Sequence, residues 1–333
     1  MEAGLVSTII PVFNRALLLT EAVNSVLAQT YRPIEIIIVD DGSTDNTKQV
    51  ANKLATEHPN EIKVIFQNNT GPGLAREAGR LSAQGEFIQY LDSDDLLLPQ
   101  KFELQVRGLR NNPKCSVSYG KTRYCEKDSV RKDTPWKRTG EKIETMFPSF
   151  LQSRWWGTST PLYKKRLIDK VGPWIGLNNE EDWEYDCRVA AQGIALHYVS
   201  VFISEERDIA KERLSQYCST DQAKLQHRTI AHALIFNHAK KYGITTSCKE
   251  MRHFARELFL LSRQCGAAKL KKEAEELFEL ARMASEVQRR NQWDFKIYKC
   301  VSKLIGWPLT GKIASYGWRF TKKIGLTKES VIL

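Results

Sequence analysis

Ile34-Glu35-Ile36-Ile37-Ile38-Val39-Asp40-Asp41-Gly42-Ser43-Thr44-Asp45 is the stretch from which the fold can be read. Ile36 to Val39 form a continuous β-branched run, as expected of a strand buried on both faces. The run stops at a doubled carboxylate and a glycine suited to a tight turn. Asp45 to Thr56 then reads as a helix, with Ser43 or Thr44 as its N-cap. The alternation extends both ways. Val6 to Val12, Lys63 to Gln67 and Phe87 to Leu91 are further short apolar runs, while Ala16 to Ala28 and Leu74 to Ala83 are helix-compatible. Such alternation predicts an α/β fold, a mostly parallel sheet covered by helices, with ligands outside the carboxyl ends of the strands. Phe13-Asn14-Arg15, Asp40-Asp41-Gly42-Ser43 and Asp92-Ser93-Asp94-Asp95 all fall at such ends.

The 333 residues are enough for one sizeable core plus a smaller appended domain. With 42% hydrophobic and 27% charged residues, the composition excludes a disordered or collagen-like chain. No run approaches the roughly 18 apolar residues that span a bilayer, and Met1 to Gly4 lead almost directly into a strand, so a cytoplasmic protein is expected. Seven scattered cysteines without C-x-x-C spacing indicate neither a disulfide framework nor a zinc site, and the six histidines show no ligand spacing. A net charge of +11 favours anionic partners without choosing among a nucleotide-sugar, an acidic lipid surface and nucleic acid. The basic residues form no nucleic-acid readout motif, and an acidic cleft would repel a phosphate chain, so no nucleic-acid partner is expected.

Three carboxylates in Asp92-Ser93-Asp94-Asp95 would repel one another unless a cation sits among them, and a hard divalent ion, Mg²⁺ or Mn²⁺, suits that cage. Such an ion bridges two phosphates and neutralises charge on a leaving group. By itself an acidic turn after a strand is more often a solvated loop or a helix cap. Asp40-Asp41 supply a second pair; a helix-capping turn explains Ser43 and Asp45 but not the doubled carboxylate. Asn69-Thr70-Gly71-Pro72-Gly73-Leu74-Ala75-Arg76 is a glycine-containing helix start with an arginine in its first turn, favourable to phosphate, although such an arginine is commonly a surface ion-pair partner.

Taken together, Thr8 to Arg15, Ser25 to Tyr31, Val39 to Asp45, Gly73 to Gly79 and Leu91 to Asp95 closely resemble family 2 of the inverting glycosyltransferases, strongly over residues 5–100, moderately to about 215 and not beyond. The resemblance implies the GT-A fold, a Rossmann-like nucleotide-diphospho-sugar transferase with a mixed, mostly parallel sheet. It implies a nucleotide-sugar pocket of Pro11, Phe13, Asn14, Arg15, Asp41, Gly73, Arg76, Asp92 and Ser93, with Asp94 and Asp95 on the metal. Phe13 stands where the family often has tyrosine, so a hydroxyl contact is lost while stacking on the base survives.

An inverting displacement needs a carboxylate opposite the leaving group to take the acceptor's proton. Glu180-Glu181-Asp182-Trp183-Glu184 resembles the family's E-D-W stretch, which makes Asp182 the base, with Glu181 and Trp183 toward the acceptor. An acidic helix start matched to the dipole explains the same residues locally. Trp155-Trp156 resembles an acceptor-side segment; one of the two rings is expected to pack inward, and Trp156 is assigned to the acceptor. The implied activity is hexosyl transfer from a nucleoside-diphosphate sugar, UDP favoured, to a glycan or lipid-linked glycan. A non-catalytic binding protein on the same scaffold and a polyprenyl-phosphate transferase are the alternatives.

Residues 1–215 are expected to form the catalytic domain, with a nucleotide-binding half to residue 100 and an acceptor-side half beyond, followed by a helical region over 216–333. Met251-Phe254-Leu258-Leu261 and Leu270-Ala274-Leu277-Ala281 have helical spacing, with breaks expected at Tyr242-Gly243 and Cys265-Gly266. Residues 292–333 interleave tryptophans with lysines. This composition fits either an anionic membrane surface at the inner face of the cell membrane or a basic helix docked on the catalytic domain.

Overall fold

The computed structural model describes residues 1–126, 131–208, 221–286 and 293–314. By contact the chain divides into a unit of Met1–Met146 with Arg154–Arg213 and a unit of Phe147–Ser153 with Leu214–Leu333. The boundary expected at residue 215 lies outside the described residues.

In the first unit, β1 (Glu2–Val12), β2 (Ile34–Asp41), β3 (Ile62–Gln67) and β4 (Gly85–Tyr90) form parallel neighbours in the order β3-β2-β1-β4. Crossovers run through α1 (Ala16–Leu27), α2 (Thr47–Glu57) and α3 (Pro72–Ser82). Ile36, Ile37, Ile38 and Val39 are fully buried, as their continuous apolar run requires. Helices cover both faces; Leu19, Val23 and Val26 of α1 join Ile10, Ile36 and Ile38 in one core. The chain order reverses between β2 and β4 on either side of β1, which opens the ligand crevice at the ends of those strands.

Beyond β4 the sheet becomes mixed. β5 (Leu96–Leu97), α4 (Lys101–Asn111), β6 (Cys115–Cys125), β7 (Arg131–Pro135), β8 (Leu162–Lys164), α5 (Lys165–Val171), α6 (Glu181–Ala190) and β9 (Ala195–Arg207) complete the unit. β8 runs antiparallel to β4 and β6, and β6 runs parallel to β9.

The cap expected for α2 is corrected. Its N-cap is Asn46, and the N–H of Thr47 is taken by the Asp45 carboxylate at 2.9 Å. Ser43 is drawn away because its hydroxyl accepts the N–H of Asn14 at 3.0 Å, tying the ends of β1 and β2 together.

The second unit holds α7 (Gln222–Tyr242), α8 (Lys249–Ala267), α9 (Lys271–Ala284) and α10 (Trp293–Ile305). Met251, Phe254, Leu258 and Leu261 of α8, and Leu270, Ala274, Leu277 and Ala281 at and within α9, are buried at the spacing read from the sequence. α7 ends at Gly243, whose φ of 95° supplies the left-handed cap. The second expected break is present and falls just after Cys265-Gly266: α8 ends at Ala267 and α9 begins at Lys271, while Gly266, inside the last turn, lets the backbone at Trp307 approach. A Cβ there would lie 2.9 Å from the Trp307 carbonyl oxygen. A 3-10 turn, Ser149–Leu151, from the middle of the chain also belongs to this unit. The six described cysteines are free thiols.

Candidate active site

Asp41 closes β2 and is buried. Its Oδ1 accepts from Gln67 Nε2 at 2.7 Å and from the Thr70 N–H at 2.9 Å, and its Oδ2 accepts the Gly71 N–H at 2.8 Å. Asp40 Oδ1 takes the Ser43 N–H at 3.0 Å. The doubled carboxylate therefore shapes two loops: one aspartate folds its own turn, the other pins the segment that opens α3. Asn14, at φ 52°, accepts the Thr44 N–H at 2.8 Å, Pro11 is buried opposite Val39, and Phe13 is exposed beyond the end of β1.

The N-terminus of α3 lies against residues 175–181. A Cβ on Gly73 would sit 2.3 Å from the Ile175 carbonyl oxygen and 3.5 Å from Glu181 Cγ. Gly73, expected at the nucleotide, is thus a close-approach glycine for residues 175–181. Arg76, expected to face a phosphate, is buried. It bonds Asp92 at 2.7 Å through one Nη and Glu181 at 3.0 Å through the other, with its guanidinium 4.9 Å from the Trp174 ring. Burial opposes its charge, but Asp92, Glu181 and Asp182 prevail and hold the guanidinium above its ordinary range. Arg76 is the buckle between the acidic turn and the start of α6.

In the acidic turn, Asp92 and Asp94 keep partly accessible carboxylates, and Asp94 pairs with Arg15 at 2.7 Å. Ser93 is buried. Asp95, expected to share the metal, points inward instead: Oδ2 accepts from the Ser159 hydroxyl at 2.7 Å and Oδ1 from the Arg207 N–H at 3.2 Å. Burial, with Glu206, Asp94 and Asp92 nearby, raises its carboxyl well above the usual range. Ser159 Oγ also accepts the Asp92 N–H at 3.3 Å, and Arg207 Nε donates to the Asp94 carbonyl at 2.5 Å. Asp95 therefore sets the turn's shape while Asp92 and Asp94 present oxygens. Among the described residues no group of three or more His, Cys, Asp or Glu is arranged to hold a metal. Two hard carboxylates on one turn do suit Mg²⁺ or Mn²⁺, which take one or two carboxylates and complete their shell with phosphate oxygens and water.

Glu180 at φ 61° turns the chain into α6, and Glu181, Asp182 and Glu184 occupy its first turn. Asp182 Oδ1 accepts the Trp183 N–H at 2.7 Å, and Oδ2 pairs with Arg154. Arg154 also bonds Asp186, one helical turn on, through Nε at 2.6 Å; Tyr163 donates to the same carboxylate at 3.2 Å. Burial would raise the Asp182 carboxyl, but Arg154, Lys137 and Arg76 hold it below the usual range. Glu181 is pushed up to about 7 by burial and by the Asp182 charge, against the pull of Arg76. Beneath lies an aromatic floor: Trp174 stacks on Tyr185 at 3.9 Å, and Tyr90 meets Trp174 edge-on at 5.1 Å.

Both tryptophans of the Trp155-Trp156 pair are buried, which corrects the expectation for Trp156. Its ring is fully buried and packs 5.0 Å from Tyr119, so it has no face to offer a sugar. Trp183 is half-buried and keeps accessible surface beside Asp182.

Arg154, Ser159, Arg207 and Lys137 escaped the sequence reading. Lys137, at φ 50°, reaches solvent, and its ammonium donates to the Trp156 carbonyl at 3.2 Å; Asp182, Asp186 and Glu206 act on it electrostatically. Asp182 and Asp186, four apart on one helix face, were a legible sign that a cation lies between them.

A continuous path of contacts thus joins the expected residues: Asp41 to the start of α3, Arg76 to Asp92 and Glu181, and Asp182 to Arg154. Comparison with known proteins identifies the family. A family model described as Glycosyl transferase family 2 matches residues 7–166. An uncharacterized glycosyltransferase of Nostoc sp. is 31% identical over 96% of this chain and 95% of its own length. Among solved structures, S. aureus TarS in complex with UDP has a TM-score of 0.67 at 17% identity, covering 94% of this chain and 91% of that one. The mannosyltransferase PcManGT of Pyrobaculum calidifontis, in complex with GDP-Man and Mn²⁺, has a TM-score of 0.51 at 16% identity, covering 92% and 86%. The fold is that of the GT-A enzymes, and the chain belongs to glycosyltransferase family 2.

Proposed function

We propose that the enzyme transfers a hexosyl group from a nucleoside-diphosphate sugar to a glycan or lipid-linked glycan hydroxyl, with inversion, and that residues 1–215 carry the chemistry. The observation that carries this reading is the Arg76 buckle. It ties the turn presenting Asp92 and Asp94 to the helix start presenting Asp182, leaving diphosphate-side and acceptor-side carboxylates linked through one buried residue. A UDP-sugar is favoured because TarS, whose likeness is the greater of the two, has been solved with UDP.

In this reading Phe13 stacks on the base at the mouth of β1, and Asp41 shapes the loop beneath it. Asp94 and Asp92 would hold Mg²⁺ or Mn²⁺, which would supply neutralisation of the charge developing on the leaving group. Arg15, paired with Asp94 at 2.7 Å, stands beside the acidic turn as a cation for the diphosphate. The acceptor oxygen bonds to the anomeric carbon as the bond from that carbon to the diphosphate oxygen breaks. Its proton passes to Asp182, and the bonding electrons leave with the nucleoside diphosphate. Arg154 keeps Asp182 ionised and aimed, and Trp183 offers a ring to the acceptor sugar.

A thermal-shift screen of UDP-, GDP- and dTDP-sugars with and without Mn²⁺ tests the donor. The expected outcome is a rise in Tm with a UDP-sugar that depends on the metal. A larger rise with GDP-mannose, or one indifferent to chelation, would overturn the donor or the metal assignment respectively.

A further inference from the structure

α10 and the helical residues 307–314 are apolar on two opposite sides. Phe295, Tyr298 and Trp307 point inward and are buried: Phe295 stacks on Phe259 at 4.8 Å, and Trp307 meets Phe278 edge-on at 5.6 Å. These contacts account for the helices' place in their unit. They do not account for the outer side, where Ile297 (54% exposed), Leu304 (82%), Ile305 (43%), Leu309 (49%) and Ile313 (57%) face solvent. Gly306, at φ 81°, separates two helical stretches, and the intervals 297 to 304 in the first and 309 to 313 in the second each keep helical spacing. Lys296, Lys303 and Lys312 are exposed beside them.

Charge selects the partner. From Phe295 to Lys328 the sequence contains no acidic residue, while Lys296, Lys299, Lys303, Lys312, Arg319, Lys322, Lys323 and Lys328 are basic. Residues 315–333 lie outside the described residues and contribute here only their charge. A second copy of the chain placed on this face would set lysines against lysines. A nucleic acid would find exposed aliphatic side chains rather than aromatic rings on which bases stack. A bilayer of anionic lipids matches both features: branched aliphatics enter the acyl boundary, and lysine stems lie along them with ammonium groups among the phosphates. No helix of the described residues is long and apolar enough to cross a membrane, so the contact is lateral. We infer that the outer face of residues 296–313 is a docking surface for an anionic membrane.

The test uses the full chain in flotation with vesicles of phosphatidylcholine alone and of phosphatidylcholine with phosphatidylglycerol, at low and high salt. The wild type is expected to float with the anionic vesicles only, less so at high salt. The double variant Leu304→Asp, Ile313→Asp and the triple variant Lys296→Gln, Lys303→Gln, Lys312→Gln should each lose binding by about tenfold or more. Their Tm should not fall, because all five side chains are exposed. Failure of the wild type to float, or flotation unaltered in both variants, would overturn the inference. So would a dimer in sedimentation that the aspartate variant splits, which would assign the face to a second copy. None of these readouts involves sugar transfer, so the surface and the reaction stand or fall separately.

Discussion

Arg154, not singled out from the sequence, pairs with two carboxylates of one helix face. It lies between Asp182 and Asp186, and both carboxylates are next to other negative charge. A base held below the usual carboxylate range stays ionised as pH falls, so the acidic limb of kcat/KM should lie below the ordinary aspartate value of about 3.9. Stability from the same group is present above that unfolded value and is lost as pH falls through the folded one. Glu181 acts in the opposite sense: with its folded pKa up to about 7, its contribution is complete at acid pH and declines as pH rises through that value. Arg154→Lys retains a charge but not the two-pronged geometry. It is expected to lower kcat about 10²-fold, through misplacement of the base, and to move the acidic limb to higher pH while nucleotide binding is preserved. A pH-rate profile superimposable on that of the wild type would show that Arg154 does not set the base. Asp182 was legible from the E-D-W stretch. Arg154 was not, because it lies 28 residues away with no local pattern linking the two. Asp95 and Trp156 were misread for a related reason: residue type gives the chemistry available, but not whether a side chain turns toward the cleft or into the core.

At the level of elements, the first four strands were legible because their apolar runs are short, β-branched and each followed by a polar turn. Among the later strands, β5 has two residues and β8 three, too few to show a period, and their pairing is set by distant partners. The C-terminal helices were readable from spacing and from the breaks at Gly243 and just after Gly266, although Gly266 also serves a tight approach that the sequence does not show. Gly73 is the corresponding case at the site. Its φ requires no glycine, but a Cβ would meet a backbone carbonyl at 2.3 Å. Gly73→Ala should therefore destabilise the protein by about 1–3 kcal/mol, seen as a fall of several degrees in Tm. By pushing residues 175–181 away from α3 it should also reduce turnover more than it weakens nucleotide binding. An unchanged Tm would show that the two segments are not in firm contact.

On the scale of the molecule, the chain combines a unit whose strand ends gather acidic and basic residues from far apart in sequence with a helical unit that presents an apolar, basic face. Sequence composition anticipated the basic tail but left two destinations open, and the membrane is the one inferred from the exposure of Leu304 and its neighbours. The central claim belongs to the first unit: one cleft binds diphosphate and metal on one side and removes the acceptor's proton on the other. The direct measurement is calorimetric binding of UDP with Mn²⁺, set beside transfer rates, for Asp94→Ala and Asp182→Asn. Asp94→Ala is expected to lose metal-dependent UDP binding and transfer together, while Asp182→Asn binds UDP as the wild type does and loses about 10²–10⁴ in kcat. Wild-type turnover by Asp182→Asn, or undiminished Mn²⁺-dependent binding by Asp94→Ala, would contradict that division of labour.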